Sequence, residues 1–276
     1  MTITVTGATG FVGQHVVREL LDRGLRVRLL VRDTRRLGTW ADSEDVQIIH
    51  TPDLFNESLD SLRELLVGTR TLIHMAWYAE PGKYLISPLN LDCLMGTLNL
   101  ARAFAASGGA RFVGIGTCAE YDLTAGLLRA DSPLAPETLY AACKASAFQV
   151  LRRFLQPEGV SFAWCRLFYL YGEGEDDRRL APYVRTQLEA GHEVHLTRGE
   201  QVRDFIDVRE AGRMIVEIAL GQGEGAVNVC SGVPVTVREF AERIADEYGR
   251  RDLLRFGSRP ENLFDPPRIV GVREDW

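Results

Sequence analysis

Two short segments carry reactive side chains at spacings that could do chemistry. Residues 116–122 read GTCAEYD, bringing a hydroxyl (Thr117), a thiol (Cys118), a carboxylate (Glu120) and a phenol (Tyr121) into seven positions. Residues 140–144 read YAACK, and a separation of four along a predicted helix puts Tyr140 and Lys144 on one face. An ammonium beside a phenol favours the phenolate and lowers its pKa from about 10, so such a pair can trade a proton with a carbonyl oxygen near neutral pH. A third segment, GATGFVG, sets Gly7, Gly10 and Gly13 directly after a β-branched run and at the mouth of a helical pattern. There Gly7 permits a tight turn, Gly10 lets backbone approach a pyrophosphate, and Gly13 allows close helix-to-strand packing, with the helix N-terminus favouring negative charge. The combination points to a dinucleotide and to proton and hydride chemistry on a carbonyl.

Such groups need a scaffold, and the chain supplies one by alternation. ITVTGATGFVGQHVVRELLDRG is a short strand, a glycine turn and a helix, with Val16, Val17, Leu20 and Leu21 at helical spacing. RVRLLVRD and DVQIIH read as strands, SLDSLRELLVG as a helix opened by a serine and closed by Gly68, and TRTLIHMAW as a strand. A long helix over LNLDCLMGTLNLARAFAASGG, a strand over ARFVGIGT, a helix over ETLYAACKASAFQVLRRFL and a strand over SFAWCRLFYLYG follow. VREAGRMIVEIALG is a helix and GAVNVCSG a late strand. Apolar strands alternating with helices predict a doubly wound α/β fold, a parallel Rossmann sheet covered on both faces. The rhythm breaks at 173–202 and after 232, where Pro182, Pro234, Pro260, Pro266 and Pro267 mark turns. These pieces are expected to form a small C-terminal substrate-binding lobe (173–202 and 233–276) beside a dinucleotide-binding domain of 1–172, to which 203–232 returns. Ligands bind such sheets beyond the carboxyl ends of the strands, where the lobe would complete a cleft.

Composition narrows the function classes. In 276 residues, 46% are hydrophobic and 25% charged, as in ordinary globular proteins. No signal-peptide pattern opens the chain, no run approaches the ~18 apolar residues of a membrane span, and a cytoplasmic protein is expected. The net charge of −6 with dispersed arginines does not resemble the basic stripe of a nucleic-acid binder. The five cysteines lack CxxC spacing, which predicts reduced thiols, neither a disulfide framework nor a zinc site. The histidines, His192 and His195 included, have no metal-ligand spacing, so no metal is expected.

The end of the second strand bears on the dinucleotide. NAD enzymes place an acid there for the ribose 2′-hydroxyl, whereas an arginine accommodates the 2′-phosphate of NADP. Counting from Gly24 puts Val31 at the acidic position and Arg32 after it, with Arg35 and Arg36 close behind. This favours NADP(H). Asp33 in a shifted register would instead be the ribose acid and make NAD(H) the cofactor.

TGATGFVG, GTCAEYD, YAACK and RDFIDV occur in this order, and together they resemble the extended short-chain dehydrogenase/reductase family, in particular its nucleotide-sugar branch, over nearly the whole chain. The resemblance implies a catalytic triad of Thr117, Tyr140 and Lys144. Tyr140 would exchange a proton with the sugar oxygen, Thr117 would hydrogen-bond that oxygen, and Lys144 would hold the nicotinamide ribose and depress the tyrosine pKa. It further implies cofactor contacts from Thr9, Phe11 and Val12 beside the three glycines, from the Asp53-Leu54 pair near the adenine, and from Met75 and Ala76 along the fourth strand. On the substrate side it implies Thr117 and Cys118, Arg203 at the diphosphate, and Leu180 with Pro182 against the base. For Arg203 the alternative is a structural pair with Asp204 or Glu200. The chain departs from the family in carrying Tyr169 where many members have an asparagine near the diphosphate, and in a displaced Asn90, six residues before Gly96.

The branch holds reductases, epimerases and dehydratases. Dehydratases place an Asp-Glu pair directly after the threonine; here Cys118 and Ala119 stand there, so elimination lacks its acid. Glu120 lies one place further on, where an extended chain would turn its side chain to the opposite face. Cys118 is either an acid/base for a 3,5-epimerase or a small buried hydrophobe. GTCAEYD together with TLYAACK, RLFYLYG and GEQVRDF most resembles the nucleotide-diphosphate 4-keto-6-deoxyhexose reductases that make CDP- or dTDP-dideoxy sugars, and this resemblance implies NAD(P)-dependent reduction of the C4 ketone of a nucleotide-diphosphate deoxyhexulose. A nucleotide-sugar 4-epimerase is the nearest alternative, and a non-catalytic NADP(H)-sensing protein is one of another class. The long helix and the YAACK helix have apolar faces suited to a homodimer.

Overall fold

The computed structural model describes residues 2–261 and 265–274. The first half runs β1 (Thr2–Thr6), α1 (Phe11–Asp22), β2 (Val27–Val31), β3 (Val46–His50), α2 (Leu59–Leu66), β4 (Thr69–His74), α3 (Leu89–Ala106) and β5 (Arg111–Thr117). Then come β6 (Leu127–Leu128), α4 (Leu139–Leu155), β7 (Ser161–Leu167), β8 (Tyr169–Tyr171), α5 (Leu180–Glu189), β9 (Val194–His195) and β10 (Val202–Asp207). The last stretch holds α6 (Val208–Leu220), β11 (Gly225–Val229), β12 (Pro234–Thr236), α7 (Val237–Tyr248), β13 (Leu254–Arg255) and β14 (Arg268–Gly271).

Seven strands form one parallel sheet in the order β11-β7-β5-β4-β1-β2-β3. Its inner strands are short, apolar and buried on both faces, as a parallel sheet requires, whereas the edge strand β3 leaves Gln47, Ile48 and His50 exposed. On one face Val5, Ile73 and Val113 meet Val16, Val17 and Leu20 of α1 and Ile215 and Ile218 of α6. On the other, Leu72, Phe112, Phe162 and Trp164 meet Leu62 of α2, Leu100 and Phe104 of α3, and Phe148 and Leu151 of α4. The chain leaves β1 toward β2 on one side and builds β4 and β5 on the other, so the switch point opens between β1 and β4. That is where a doubly wound sheet leaves a ligand crevice.

A second sheet, in the order β12-β10-β14-β6 with β8 also pairing β10, stands beside the first. Helices α5 and α7 close over it through Val184, Leu188, Phe240 and Ile244. The single strand expected over SFAWCRLFYLYG is two: β7 stays in the central sheet, and β8 pairs Tyr169 with Phe205 of β10. Between them Phe168 is buried with Cys118, Tyr121, Leu128, Cys230 and Ile269, and seating its ring there turns the chain from one sheet to the next. After β10, α6 and β11 return to the central sheet, where Gly212 lets α6 approach the His15 backbone; a Cβ there would lie 3.1 Å from the His15 carbonyl carbon. Among the described residues, no helix is long and apolar enough to cross a membrane.

Candidate active site

The glycine turn is shaped by contact. Gly7 has φ +76°, and a Cβ on it would stand 2.6 Å from the Ala76 nitrogen and 2.7 Å from the Met75 carbonyl carbon. A Cβ on Gly13 would fall 2.1 Å from the Gly7 oxygen. Gly10 differs, since its Cβ would meet only that oxygen, at 3.2 Å, leaving its outer side open. It caps α1 with no side-chain hydrogen bond, and the first turn has no acidic residue, so the helix presents free N–H groups there. This cradle fits the pyrophosphate of a dinucleotide. Thr9, Phe11 and Val12 follow in the same turn half-buried, Val12 packing against the core, and Met75 and Ala76 lie against Gly7, with the Ala76 N–H donating to Thr6 Oγ1 at 3.3 Å.

At the end of β2, the exposed Arg32 makes no ion pair among the described residues, while Asp33 is engaged. Arg35 chelates its carboxylate through Nε (2.9 Å) and Nη2 (3.0 Å), and the Arg35 backbone N–H donates to it at 3.1 Å. The guanidinium holds the Asp33 carboxyl below its ordinary pKa. Asp53 is exposed and accepts from Asn56 Nδ2 at 2.6 Å, and Leu54 packs toward the core under α2 and α3.

Thr117 ends β5 and caps a short helical turn over Cys118–Glu120. Its Oγ1 accepts from the Ala119 N–H at 3.2 Å, which leaves its own proton free to donate. Tyr140 opens α4, with its N–H on the Leu85 carbonyl at 3.0 Å and its ring packed edge-to-face by Tyr84 at 4.8 Å. Burial, then Tyr84, pushes the phenol well above its ordinary pKa, and the Thr117 hydroxyl pulls the other way. Lys144 is buried; its Nζ donates to the Ile115 carbonyl at 2.6 Å and lies 6.0 Å from the centre of the Tyr140 ring. Burial pulls the ammonium down to about 7. The expected depression of the tyrosine by the lysine is therefore corrected for this arrangement. The ammonium is turned to a backbone carbonyl, and desolvation governs the phenol.

A second correction concerns Glu120. The segment is a helical turn, not extended, and Thr117 with Glu120 forms a reciprocal capping box. The fully buried carboxylate accepts from the Thr117 N–H (2.9 Å), Trp164 Nε1 (3.0 Å) and Arg166 Nε (2.8 Å). It is bound into the sheet. Tyr121 is equally structural, its hydroxyl donating to Asn228 Oδ1 at 2.7 Å. All five cysteines are free and buried. Burial pushes Cys118 up to about 12, leaving a neutral thiol packed with Tyr121 and Phe168.

On the substrate side, Leu180 begins α5 half-buried behind Arg179, whose guanidinium lies 5.8 Å over the Tyr84 ring. Arg203 is 3% exposed; its Nη1 donates to the Val202 carbonyl at 2.9 Å and its Cζ lies 5.4 Å from the Tyr169 ring centre. Its ion pair is with Asp265, 2.6 Å from Nη2 though not aligned as a hydrogen bond, and not with Asp204 or Glu200. Asp204 instead accepts from the Ser231 N–H and hydroxyl (both 2.7 Å), the Gly232 N–H (2.9 Å) and the Gly271 N–H (3.1 Å).

Thr117 and Lys144 thus stand beside Tyr140, Met75 and Ala76 lie against the Gly7 turn, and Cys118, Tyr169 and Arg203 form a neighbouring group. Residue spacing did not single out Trp77, Tyr84 or His74. The first two are aromatics in the loop after β4, a visible but unspecific signal. His74 is sandwiched between the hydroxyls of Thr6 and Thr97, each at 2.8 Å, and burial holds it at about 3, hence neutral.

The family model described as NAD dependent epimerase/dehydratase family matches residues 3–230. The chain belongs to this family. It is 26% identical over 279 residues to a dTDP-6-deoxy-L-talose 4-dehydrogenase (NAD(+)) of Aggregatibacter actinomycetemcomitans, covering 99% of this chain and 100% of that protein. Its fold matches a UDP-N-acetylglucosamine 4-epimerase from Methanobrevibacter ruminantium M1 in complex with UDP-N-acetylmuramic acid, with TM-score 0.87, 24% identity and coverage of 99% and 89% of the two chains. It also matches a UDP-glucose 4-epimerase of Thermus thermophilus in complex with NAD, with TM-score 0.80, 25% identity and coverage of 99% and 90%. The chain is therefore an enzyme of the extended short-chain dehydrogenase/reductase type.

Proposed function

We propose that this epimerase/dehydratase-family chain reduces the C4 ketone of a nucleotide-diphosphate deoxyhexulose, with Tyr140 as general acid. The observation that carries this is the makeup of the turn after β5: Thr117 faces Tyr140, while the two following positions offer a buried neutral thiol and a methyl group, so the site holds a carbonyl-oxygen binder and a proton donor but no elimination acid. The raised pKa keeps the phenol protonated, the form an acid for a nascent alkoxide needs. Thr117 donates its free proton to the same oxygen. Lys144, held against the Ile115 carbonyl and beside Tyr140, is read as serving the cofactor side, and a bound reduced dinucleotide would supply the hydride. The 4-dehydrogenase relative, named for redox at the same carbon of a dTDP-linked deoxyhexose, supports net redox over epimerisation.

Arg32, without an ion pair among the described residues, and the engaged Asp33 favour NADP(H), although that relative is named for NAD(+). Arg203 is read as the diphosphate contact, taking phosphate oxygens in exchange for Asp265. The small lobe, with Leu180 toward the base, is read as 173–202 and 233–276. Exposed Leu89, Leu91 and Met95 on α3 and Val150 on α4 are read as a homodimer face. The test is incubation of the purified protein with NADPH or NADH and a CDP- or dTDP-4-keto-6-deoxyhexose. Consumption of reduced nicotinamide with stoichiometric appearance of the 4-hydroxy sugar is expected. Tightly retained oxidised NAD, with interconversion of 4-epimers without added cofactor, would instead make it an epimerase.

A further inference from the structure

Lys144 is a buried cation that forms no ion pair among the described residues. Four groups with titratable protons face it from the elements packed around it: Glu120 from the turn after β5, Cys93 from α3, Tyr140 from α4 and His74 from the end of β4. Glu120 is committed to Arg166, Trp164 and the Thr117 N–H. Burial keeps His74, Cys93 and Tyr140 neutral near pH 7. Two groups hold the ammonium directly: the Ile115 carbonyl at 2.6 Å and the indole of Trp77, with Nζ 3.8 Å from its ring centre. Trp164 stands farther away, at 5.8 Å. An ammonium over an indole face within about 6 Å is attracted by the ring quadrupole, tryptophan giving the strongest attraction.

The indole is itself fixed. Trp77 Nε1 donates to Asn90 Oδ1 at 2.8 Å. Asn90 is fully buried, and its Nδ2 donates to the carbonyls of Tyr84 (2.6 Å) and Ser87 (2.8 Å). With both amide protons on carbonyls, the Asn90 oxygen is left to face the indole. The displaced asparagine of the long helix thus has a use.

We propose that Trp77 is a positioning residue whose indole face docks the Lys144 ammonium against the Ile115 carbonyl at the cofactor site, with Asn90 setting the angle of the indole. This rests on the reading of Lys144 as the lysine of the cofactor side. Removing the indole's attraction would let the buried ammonium deprotonate at lower pH and wander from its place, while the fold around it stays.

The chain contains only two lysines, Lys83 and Lys144, so protein labelled with ¹³C at the lysine ε-carbon gives two signals. Lys83, 67% exposed at its side chain, is the internal reference. In the cofactor-free protein the Lys144 ε-protons are expected at high field of those of Lys83, moved by the indole ring current. Trp77→Leu abolishes that displacement, and Asn90→Ala shrinks it. Site-specific mono-, di- and trifluorotryptophan at position 77 keeps the shape of the ring while draining its face. Along that series the Lys144 titration midpoint should fall stepwise, by about 0.4 to 1.5 pH units in total, with Lys83 unmoved. An unchanged midpoint across the series, or a wild-type Lys144 signal without the ring-current displacement, overturns the proposal. Neither substrate nor cofactor is present in these measurements, so a protein inactive on every nucleotide sugar would refute the ketoreductase reading alone, and a failed ring-current test would refute the docking alone.

Discussion

Glu120→Gln is the sharpest test of which groups at the GTCAEYD turn are structural. The carboxylate is fully buried and 2.8 Å from Arg166 Nε, and the Arg166 side chain is 1% exposed. A glutamine oxygen can still accept from the Thr117 N–H and from Trp164 Nε1, so the loss falls on the ion pair. Arg166 would keep only the Ala130 carbonyl at 3.2 Å, its Nη2 already lacking a partner. Breaking a buried pair from one side costs roughly 3–5 kcal/mol because the surviving charge is stranded. Here the guanidinium also lies 4.4 Å from the Tyr121 ring centre and 4.8 Å from that of Phe148, and these faces soften the loss. We therefore expect the lower end, about 3 kcal/mol, and a melting temperature lower by roughly 6–12 °C for a chain of this size. Urea titration followed by tryptophan fluorescence, with thermal melting, measures both. Arg166→Met on top of Glu120→Gln should recover part of the loss, since it removes the stranded charge. Destabilisation under about 1 kcal/mol, or strict additivity in the double variant, would refute the account. So would a turnover loss of orders of magnitude with stability intact, which would make Glu120 the acid.

Tyr140→Phe should cut ketone reduction by about 10²- to 10⁴-fold while calorimetric cofactor binding persists; near-wild-type turnover would remove Tyr140 from the mechanism. Cys118→Ala should leave turnover within a few-fold across pH 6–9, because a thiol pushed up to about 12 takes no part there, and a flattened pH profile would assign it a role. Arg32→Ala should raise the KM for NADPH and leave that for NADH unchanged; equal effects on both would place the arginine away from a 2′-phosphate. Lys144 has its folded pKa pulled from 10.5 to about 7, so the unfolded chain binds more protons between those values. Its contribution to stability is accordingly full above pH 10.5 and lost as the pH falls through about 7. The stability difference between wild type and Lys144→Met should follow that course in urea titrations; a flat difference would show that burial does not govern the lysine.

The alternation of strands and helices was legible because each element closes locally: β-branched runs, Ser58 and Thr138 caps, and Gly24 and Gly68 stops all act within a few residues. The glycine cradle was legible for the same reason, its contacts lying within one turn apart from the approach to Met75 and Ala76. What spacing missed was decided by distant partners. Whether Phe168 continues a strand depends on a cavity made by Cys118, Cys230 and Ile269, and the partner of Arg203 lies 62 positions away at Asp265. Glu120 is the instructive miss. The Thr-x-x-Glu capping signature was present at 117–120, but an extended reading of the strand end hid it. The arrangement of Lys144 could not be read from a four-residue spacing, because that spacing sets a helix face and the Ile115 carbonyl sets the rotamer.

Phe168 is the whole of the linker between β7 in the central sheet and β8 in the second, and Asp204 of β10 collects donors from the chain after β11 and from β14. The part of the molecule expected to choose the sugar is therefore not a cartridge. A chimaera that takes α5 and α7 from another member of the family replaces Leu180 and the packing of Val184, Leu188, Phe240 and Ile244 but not the frame beneath; to transplant specificity it must also carry the Phe168 crossing and the Asp204 clamp as a matched set. Substrate range in this scaffold should drift through side chains on a fixed frame more readily than through exchange of whole segments.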